Sequence, residues 1–221
     1  MISLSEQLIC HKIIEKGHYI LRSGKHSNTY IRKTKITTIP FLYNSIIRSL
    51  MHNISKNIEL KGSEIITGPA VAGICFASPI ALLLGLPFVF PEKKEYKKLC
   101  DLFGLMKFRK EFETFIKNKE IIIIEDIVTT GGSVAKTARA IKECGGNPVA
   151  VFCIWNRNPN IDHVKYEHRS TYCNNIIDDP VSHSYIPIYS LVEQEIKDWN
   201  ASECPMCKRS LPFNICCTTG I

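Results

Sequence analysis

Four consecutive isoleucines at 121–124 run straight into two adjacent acids, Glu125 and Asp126, and then into a turn rich in hydroxyls and glycine, Thr129-Thr130-Gly131-Gly132-Ser133. A β-branched run this short and this apolar predicts a strand buried on both faces, and such a strand needs helices above and below it. The rest of the chain alternates in the way that requirement predicts. An opening helix is expected over 3–16, with Ser3 three residues before Glu6 as a capping box and Gly17 as the stop. Two short strands are expected within 18–32, around the turn at 23–27. Residues 41–55 place Phe41, Ile46, Ile47, Leu50, Met51 and Ile54 on one helical stripe. A strand at 64–67, a helix at 133–144 stopped by Gly145-Gly146, and an apolar strand at 148–155 complete the pattern. Strands alternating with helices predict an α/β fold with a mostly parallel central sheet flanked by helices.

The 65–91 segment holds no charged residue and is long enough to cross a bilayer, yet it contains four prolines and three glycines. That punctuation predicts strand, loop, buried helix and a second strand at 87–90, with a kink or break at Pro79. No membrane association is expected. With 221 residues and 45% apolar content, the chain is long enough for one core. Residues 1–20 carry Glu6, His11, Lys12, Glu15 and Lys16, which does not fit a secretory leader, so the ten cysteines are expected to be reduced thiols in a cytoplasmic protein. The net charge of +7 is compatible with nucleic acid, an acidic membrane surface or a small polyanion.

The stretch 121–133 carries the chemistry. Ligands of open parallel sheets bind beyond the carboxyl ends of the strands. Glycines let successive N–H groups wrap an anion, and a helix N-terminus adds its dipole, so residues 129–133 suit a phosphate. Glu125 and Asp126 cannot ligate that phosphate but can accept hydrogen bonds from a vicinal diol. Together they point to a ribose 5-phosphate. No Walker loop and no G-x-G-x-x-G fingerprint is present.

This stretch resembles the phosphoribosyl pyrophosphate (PRPP) signature of type I phosphoribosyltransferases. Residues 22–31 (RSGKHSNTYI) resemble a segment of the orotate phosphoribosyltransferases within that family, and 68–73 (GPAVAG) resemble their pyrophosphate-side loop. Residues 92–98 (EKKEYKK) stand where the family has a mobile, Lys-rich catalytic loop. The resemblance spans roughly residues 5–195. It implies a type I phosphoribosyltransferase-like domain over 1–221, with a core at about 40–170, an N-terminal hood at about 1–39 and a Cys-containing tail at about 196–221. It implies transfer of a phosphoribosyl group from PRPP to orotate in pyrimidine biosynthesis, by a homodimer, with Mg²⁺ carried by PRPP and held by no protein residue directly. Lys94 and Lys97 would be catalytic. Lys93, Glu125, Asp126, Ile127, Val128, Thr129, Thr130, Gly131, Gly132 and Ser133 would bind PRPP. Arg22, Tyr30, Ile31, Thr129 and Arg157 would bind orotate, and core packing is an equal alternative for Tyr30 and Ile31. A phosphoribosyltransferase for another base and a non-catalytic PRPP-binding regulator are the rival readings; the cationic pair Arg22 and Arg157 favours a carboxylated base over a neutral one.

The chain also departs from the family. Leu99 and Cys100 replace the loop's usual His-Gly, and Ala72 replaces a basic or polar residue, so Lys93, Lys98 or Arg109 would supply the missing contacts. The tail holds Cys204-Pro205-Met206-Cys207, as in a subgroup of the family, followed by Cys216-Cys217. The adjacent pair is a poor partner for a C-x2-C, and no His is near in sequence, so free thiols are expected rather than zinc. Residues 16–35 carry six Lys/Arg and no acid, and 92–119 carry nine against five, leaving 13 basic and 16 acidic residues elsewhere. The excess charge therefore fits polyanionic small molecules, with no nucleic-acid partner expected.

Overall fold

The structure, a computed structural model, describes residues 4–21, 23–62, 64–93, 106–168 and 182–214. It divides into two compact units: unit 1 combines Met1–Tyr43 with Gln194–Ile221, and unit 2 is Asn44–Glu193.

Unit 1 opens with α1 (Leu4–Cys10), followed by β1 (Ile14–Ile20) and β2 (His26–Ile31), which pair antiparallel. The expected helix over 3–16 therefore ends early, and Gly17 lies inside β1 rather than at a helix stop. Pairing with β2, Ile14 opposite Ile31 and Lys16 opposite Thr29, overrides the helical spacing upstream. A 3-10 turn (Lys33–Thr38) leads to α2 (Pro40–Asn57), which passes into unit 2. Along α2, Leu42, Ile46, Ile47, Leu50 and Ile54 are buried, whereas Phe41 is 76% exposed. Leu42 takes the place expected for Phe41, because the stripe 42, 46, 50, 54 repeats at four-residue steps.

Unit 2 is built on a five-stranded sheet. Its strands are β3 (Ile65–Thr67), β6 (Glu120–Val128), β7 (Asn147–Asn156), β8 (His163–His168) and β9 (Ser182–Glu193), in the order β3-β6-β7-β9-β8. The first four in that order are parallel, and β8 closes one edge antiparallel to β9. Residues 87–90 form only a single parallel bridge, Ile66 to Phe88, beside β3. The short β4 (Glu92–Lys93) and β5 (Met106–Lys107) pair antiparallel, and α4 (Lys110–Ile116) precedes β6. In unit 1, β10 (Asp198–Trp199) adds to β2, and α6 (Pro205–Lys208) follows it.

Two helices lie against the sheet around β6. α3 (Ala72–Leu84) packs on β3 and β6, burying Gly73, Phe76, Ala77, Ile80 and Ala81, and it runs without a break through Pro79. α5 (Gly132–Glu143) packs on β7 and β8, burying Val134, Thr137, Ala138 and Ile141 at helical spacing. Between them Ile121, Ile122, Ile123 and Ile124 are all fully buried. Among the described residues no helix is long and apolar enough to cross a membrane. Truncating Ile123→Ala removes three methyl-sized groups from a site with no route to water, so stability should fall by about 2–5 kcal/mol in urea unfolding. A loss below about 1 kcal/mol would mean that β6 is not the packed centre of unit 2.

Candidate functional site

The end of β6 is where unit 2 offers polar groups. Glu125 and Asp126 are the last acids of the strand, 6% and 2% exposed. The Asp126 N–H donates to Glu125 Oε1 (3.0 Å), and the Ile127 N–H donates to Asp126 Oδ1 (2.6 Å), so both carboxylates are tied to the strand's own backbone. Neighbouring residues of a strand face opposite ways. Accordingly Glu125 lines an open cavity of 240 Å³, together with Ile127, Val128, residues 129–134 and Lys136, while Asp126 is not among the lining residues.

The turn itself is shaped by Gly131, the N-cap of α5, at φ +73 in the left-handed region that glycine enters without penalty. Its carbonyl accepts the Ala135 N–H (2.8 Å), starting the helix. A Cβ on Gly131 would stand 2.9 Å from a Val164 methyl in β8, so sterics also require glycine here. Thr129, Thr130 and Ser133 are exposed around this corner. Hydroxyls, N–H groups at a helix N-terminus, one carboxylate and one ammonium thus surround one space, an arrangement that suits a phosphorylated diol. Lys136, one turn into α5, was not among the residues expected from sequence; its place four residues after Gly132 was the available signal.

Other expected residues fall as follows. Gly68 and Gly73 let the 68–73 loop fold against β6: a Cβ on either would meet the Ile124 carbonyl oxygen at under 3 Å. Ala72 is the first residue of α3, and the Ala70–Val71 peptide is cis. The Arg157 N–H donates to the Val128 carbonyl (2.9 Å), which holds the end of β7 against the end of β6 and sets Arg157 beside the 128–129 backbone. Lys93 is exposed in β4. Arg109 is engaged by Glu92 at 2.5 Å, and that carboxylate holds its guanidinium further above the ordinary arginine range. Cys153 lies opposite Glu125 in the β6–β7 register; burial first, and then the charge of Glu125, push its thiol up. A thiol so held stays protonated and is ill suited to act as a nucleophile.

In unit 1, Tyr30 stacks on Tyr19 (5.3 Å between centroids), with the Arg32 guanidinium 5.6 Å from its ring centre. Arg32 pairs with Glu15 (2.7 Å), and Lys25 pairs with Asp198 (2.8 Å). Part of the basic charge of 16–35 is thus neutralised within the unit. Tyr30 and Ile31 are half-buried. Arg22, Lys94, Lys97, Lys98, Leu99 and Cys100 lie outside the described residues, as do Cys216 and Cys217.

A strand-end acid and a glycine-cornered turn at the carboxyl edge of a mostly parallel sheet are the features to set beside known proteins. Residues 42–190 match the phosphoribosyl transferase domain family. The chain is 34% identical over 206 residues to an orotate phosphoribosyltransferase of Thermoanaerobacter sp. strain X514, covering 91% of this chain and 88% of that one. It is 29% identical to the orotate phosphoribosyltransferase of Caldanaerobacter subterraneus subsp. tengcongensis, covering 91% and 89%. A crystal structure of orotate phosphoribosyltransferase from Aeropyrum pernix superposes with a TM-score of 0.54 at 21% identity, over 70% of this chain and 81% of that one, which speaks for the fold alone. The chain belongs to the phosphoribosyltransferase family, within its orotate phosphoribosyltransferase group.

Because Gly131 meets both a dihedral and a space requirement, Gly131→Ala should weaken PRPP binding about tenfold or more and cost about 1–2 kcal/mol of stability. Adding Val164→Ala should restore part of the stability by relieving the methyl contact. Titration calorimetry and urea unfolding check both, and an unaltered single variant would mean that the corner is not the phosphate turn.

Proposed function

We propose that this chain transfers the 5-phosphoribosyl group of PRPP to orotate, forming orotidine 5′-monophosphate and pyrophosphate in pyrimidine biosynthesis. The observation that carries this reading is the cavity at the end of β6, where Glu125 and the glycine-cornered turn 129–133 share one lining. On this reading residues 129–133 hold the 5-phosphate by backbone N–H groups and hydroxyls, and Glu125 accepts hydrogen bonds from the ribose hydroxyls; Asp126, outside the lining, would join it by turning its carboxylate toward the cavity when PRPP binds. Lys136 adds a positive charge beside the phosphate. The bond from C1 to pyrophosphate breaks, its electron pair leaving with the pyrophosphate, and orotate N1 supplies the new pair to C1. No protein nucleophile is needed, so the rate derives from orientation and from cations facing the departing charge. We assign that last role to Lys94 and Lys97, with Lys93 binding PRPP.

Mg²⁺ would be carried by PRPP and would supply charge neutralisation at the pyrophosphate; a lining with the single carboxylate Glu125 suits a hydrated ion rather than one caged by protein. Arg22, Tyr30, Ile31, Thr129 and Arg157 form the proposed orotate set, with the base's carboxylate answered by arginine. The stacking of Tyr30 on Tyr19, with Arg32 over its ring, supports a packing role for that ring beside any contact with the base. A homodimer is supported by the outer face of α3, where Leu82 is 81% and Leu83 57% exposed. We place the reaction in the reducing cytoplasm, where an exposed thiol such as Cys10 stays reduced.

Orotate absorbance should fall when PRPP and Mg²⁺ are added, and adenine, uracil or xanthine should not be consumed. PRPP binding without consumption of any base would instead support a regulator. Glu125→Gln should raise the KM for PRPP about tenfold to a hundredfold, the worth of one charge-assisted hydrogen bond, and an unchanged KM would remove Glu125 from the site. Lys97→Ala should lower kcat far more than it weakens orotate binding. In sedimentation, Leu82→Glu should shift the chain toward monomer, and an unshifted dimer would place the interface elsewhere.

A further inference from the structure

Four side chains that the transfer reaction does not use converge inside unit 1. His18 comes from β1 and His26 from β2; Cys204 and Cys207 flank the start of α6. Their ligating atoms all lie within 4.8 Å of one another. His18 Nε2 is 3.1 Å from His26 Nδ1, 3.5 Å from Cys204 Sγ and 3.7 Å from Cys207 Sγ, and Cys207 Sγ is 3.2 Å from His26 Nδ1. A tetrahedron drawn with zinc–nitrogen and zinc–sulfur bonds of ordinary length has edges of about 3.3–3.8 Å. Of the four separations, 3.5 and 3.7 Å fall in that range and 3.1 and 3.2 Å lie just short of it.

The surroundings prepare these atoms as ligands. His18 Nδ1 lies 2.9 Å from the Leu211 carbonyl oxygen, which can only accept, so Nδ1 carries the proton and Nε2 turns a bare lone pair toward the cluster. His18, His26 and Cys204 are almost wholly buried, and the Phe213 ring covers both imidazoles, at 4.1 Å from His18 and edge-on at 5.3 Å from His26. The 211–214 segment is itself fastened to β1. The His18 N–H donates to Asn214 Oδ1, and the Asn214 N–H donates to the His18 carbonyl, both at 2.7 Å. Gly17 makes room for this: a Cβ there would overlap Asn214 Oδ1 at 2.1 Å.

We propose that His18, His26, Cys204 and Cys207 bind one zinc ion as a closed, tetrahedral, structural site that fastens the 204–214 segment to the β1–β2 hairpin. Two thiolates neutralise the divalent charge, which a buried site requires. The soft sulfur pair with imidazoles selects zinc over magnesium or calcium. All four positions are filled by protein, leaving none for water or substrate, so the ion has no part in catalysis. The proposal is independent of the transferase reading, since none of the four side chains serves it.

The full-length chain, purified without chelator, should hold one zinc per chain by plasma mass spectrometry. After exchange with Co²⁺ it should show the intense visible bands and the sulfur-to-cobalt charge transfer of a tetrahedral thiolate site. Cys207→Ser and His26→Gln should each lower zinc affinity about a hundredfold or more, since even outer partners of such ligands are worth 10–100-fold. Cys10→Ser, an exposed thiol outside the cluster, should leave the metal content unchanged. Stripping the metal should open residues 194–214 to proteolysis, with PRPP binding as a separate readout. Substoichiometric zinc in the folded wild-type chain, an octahedral cobalt spectrum, or a Cys204–Cys207 disulfide in freshly purified protein would each overturn the site. Should the variants prove insoluble, the wild-type cobalt spectrum decides alone.

Discussion

Burial of β6 on both faces is the constraint from which the rest of unit 2 follows. Four isoleucines without any exposure cannot face water on either side, so α3 and α5 must lie against the sheet. Helices on both faces force right-handed crossovers between parallel strands, and crossovers return every strand end to the same edge. The turn after β6 therefore opens where ligands of such sheets bind. An acid is tolerated at that edge because the strand emerges there from its hydrocarbon surroundings. The same burial that keeps the strand dry also neutralises Cys153 opposite Glu125, leaving carboxylate, hydroxyl and N–H as the working groups.

Much of this was legible in the chain because the signals were local. The isoleucine run, the acids and the Thr-Thr-Gly-Gly corner each lie within a few residues of one another, and β6, α5 and β7 fall within four residues of their expected bounds. What failed was decided by packing. The 3–16 segment has helical spacing, yet its second half pairs with β2, a partner that no window around residue 15 contains. Phe41 and Leu42 are adjacent and equally apolar, and only the fold selects which one turns inward. Lys136 escaped notice because a lysine on a helix is ordinarily solvated.

The cysteine tail shows the same limit more sharply. A C-x2-C asks for two more ligands, and a search along the neighbouring sequence finds only an unsuitable Cys-Cys pair. The candidates that the fold supplies come from the far end of the chain, on adjacent strands of a hairpin, at a spacing that no helical zinc motif uses. The basic stretch at 16–35 needs a similar adjustment: Arg32 and Lys25 serve ion pairs with Glu15 and Asp198, so the stretch gives less field to a ligand than its bare count suggests.

Unit 1 draws its two parts from opposite ends of the chain, with the whole of unit 2 between them. During synthesis the ribosome releases β1 and β2 before unit 2, but the strand β10 and the segment carrying Cys204 and Cys207 after it. Domains fold as units when their residues are present. Unit 2 is therefore complete once Glu193 clears the exit tunnel, while the earlier hairpin waits, with the imidazoles of His18 and His26 uncovered. A hairpin translated before unit 2 thus finishes folding after it, and the interval before residues 198–214 appear leaves its strand edge and its imidazoles exposed to wrong partners.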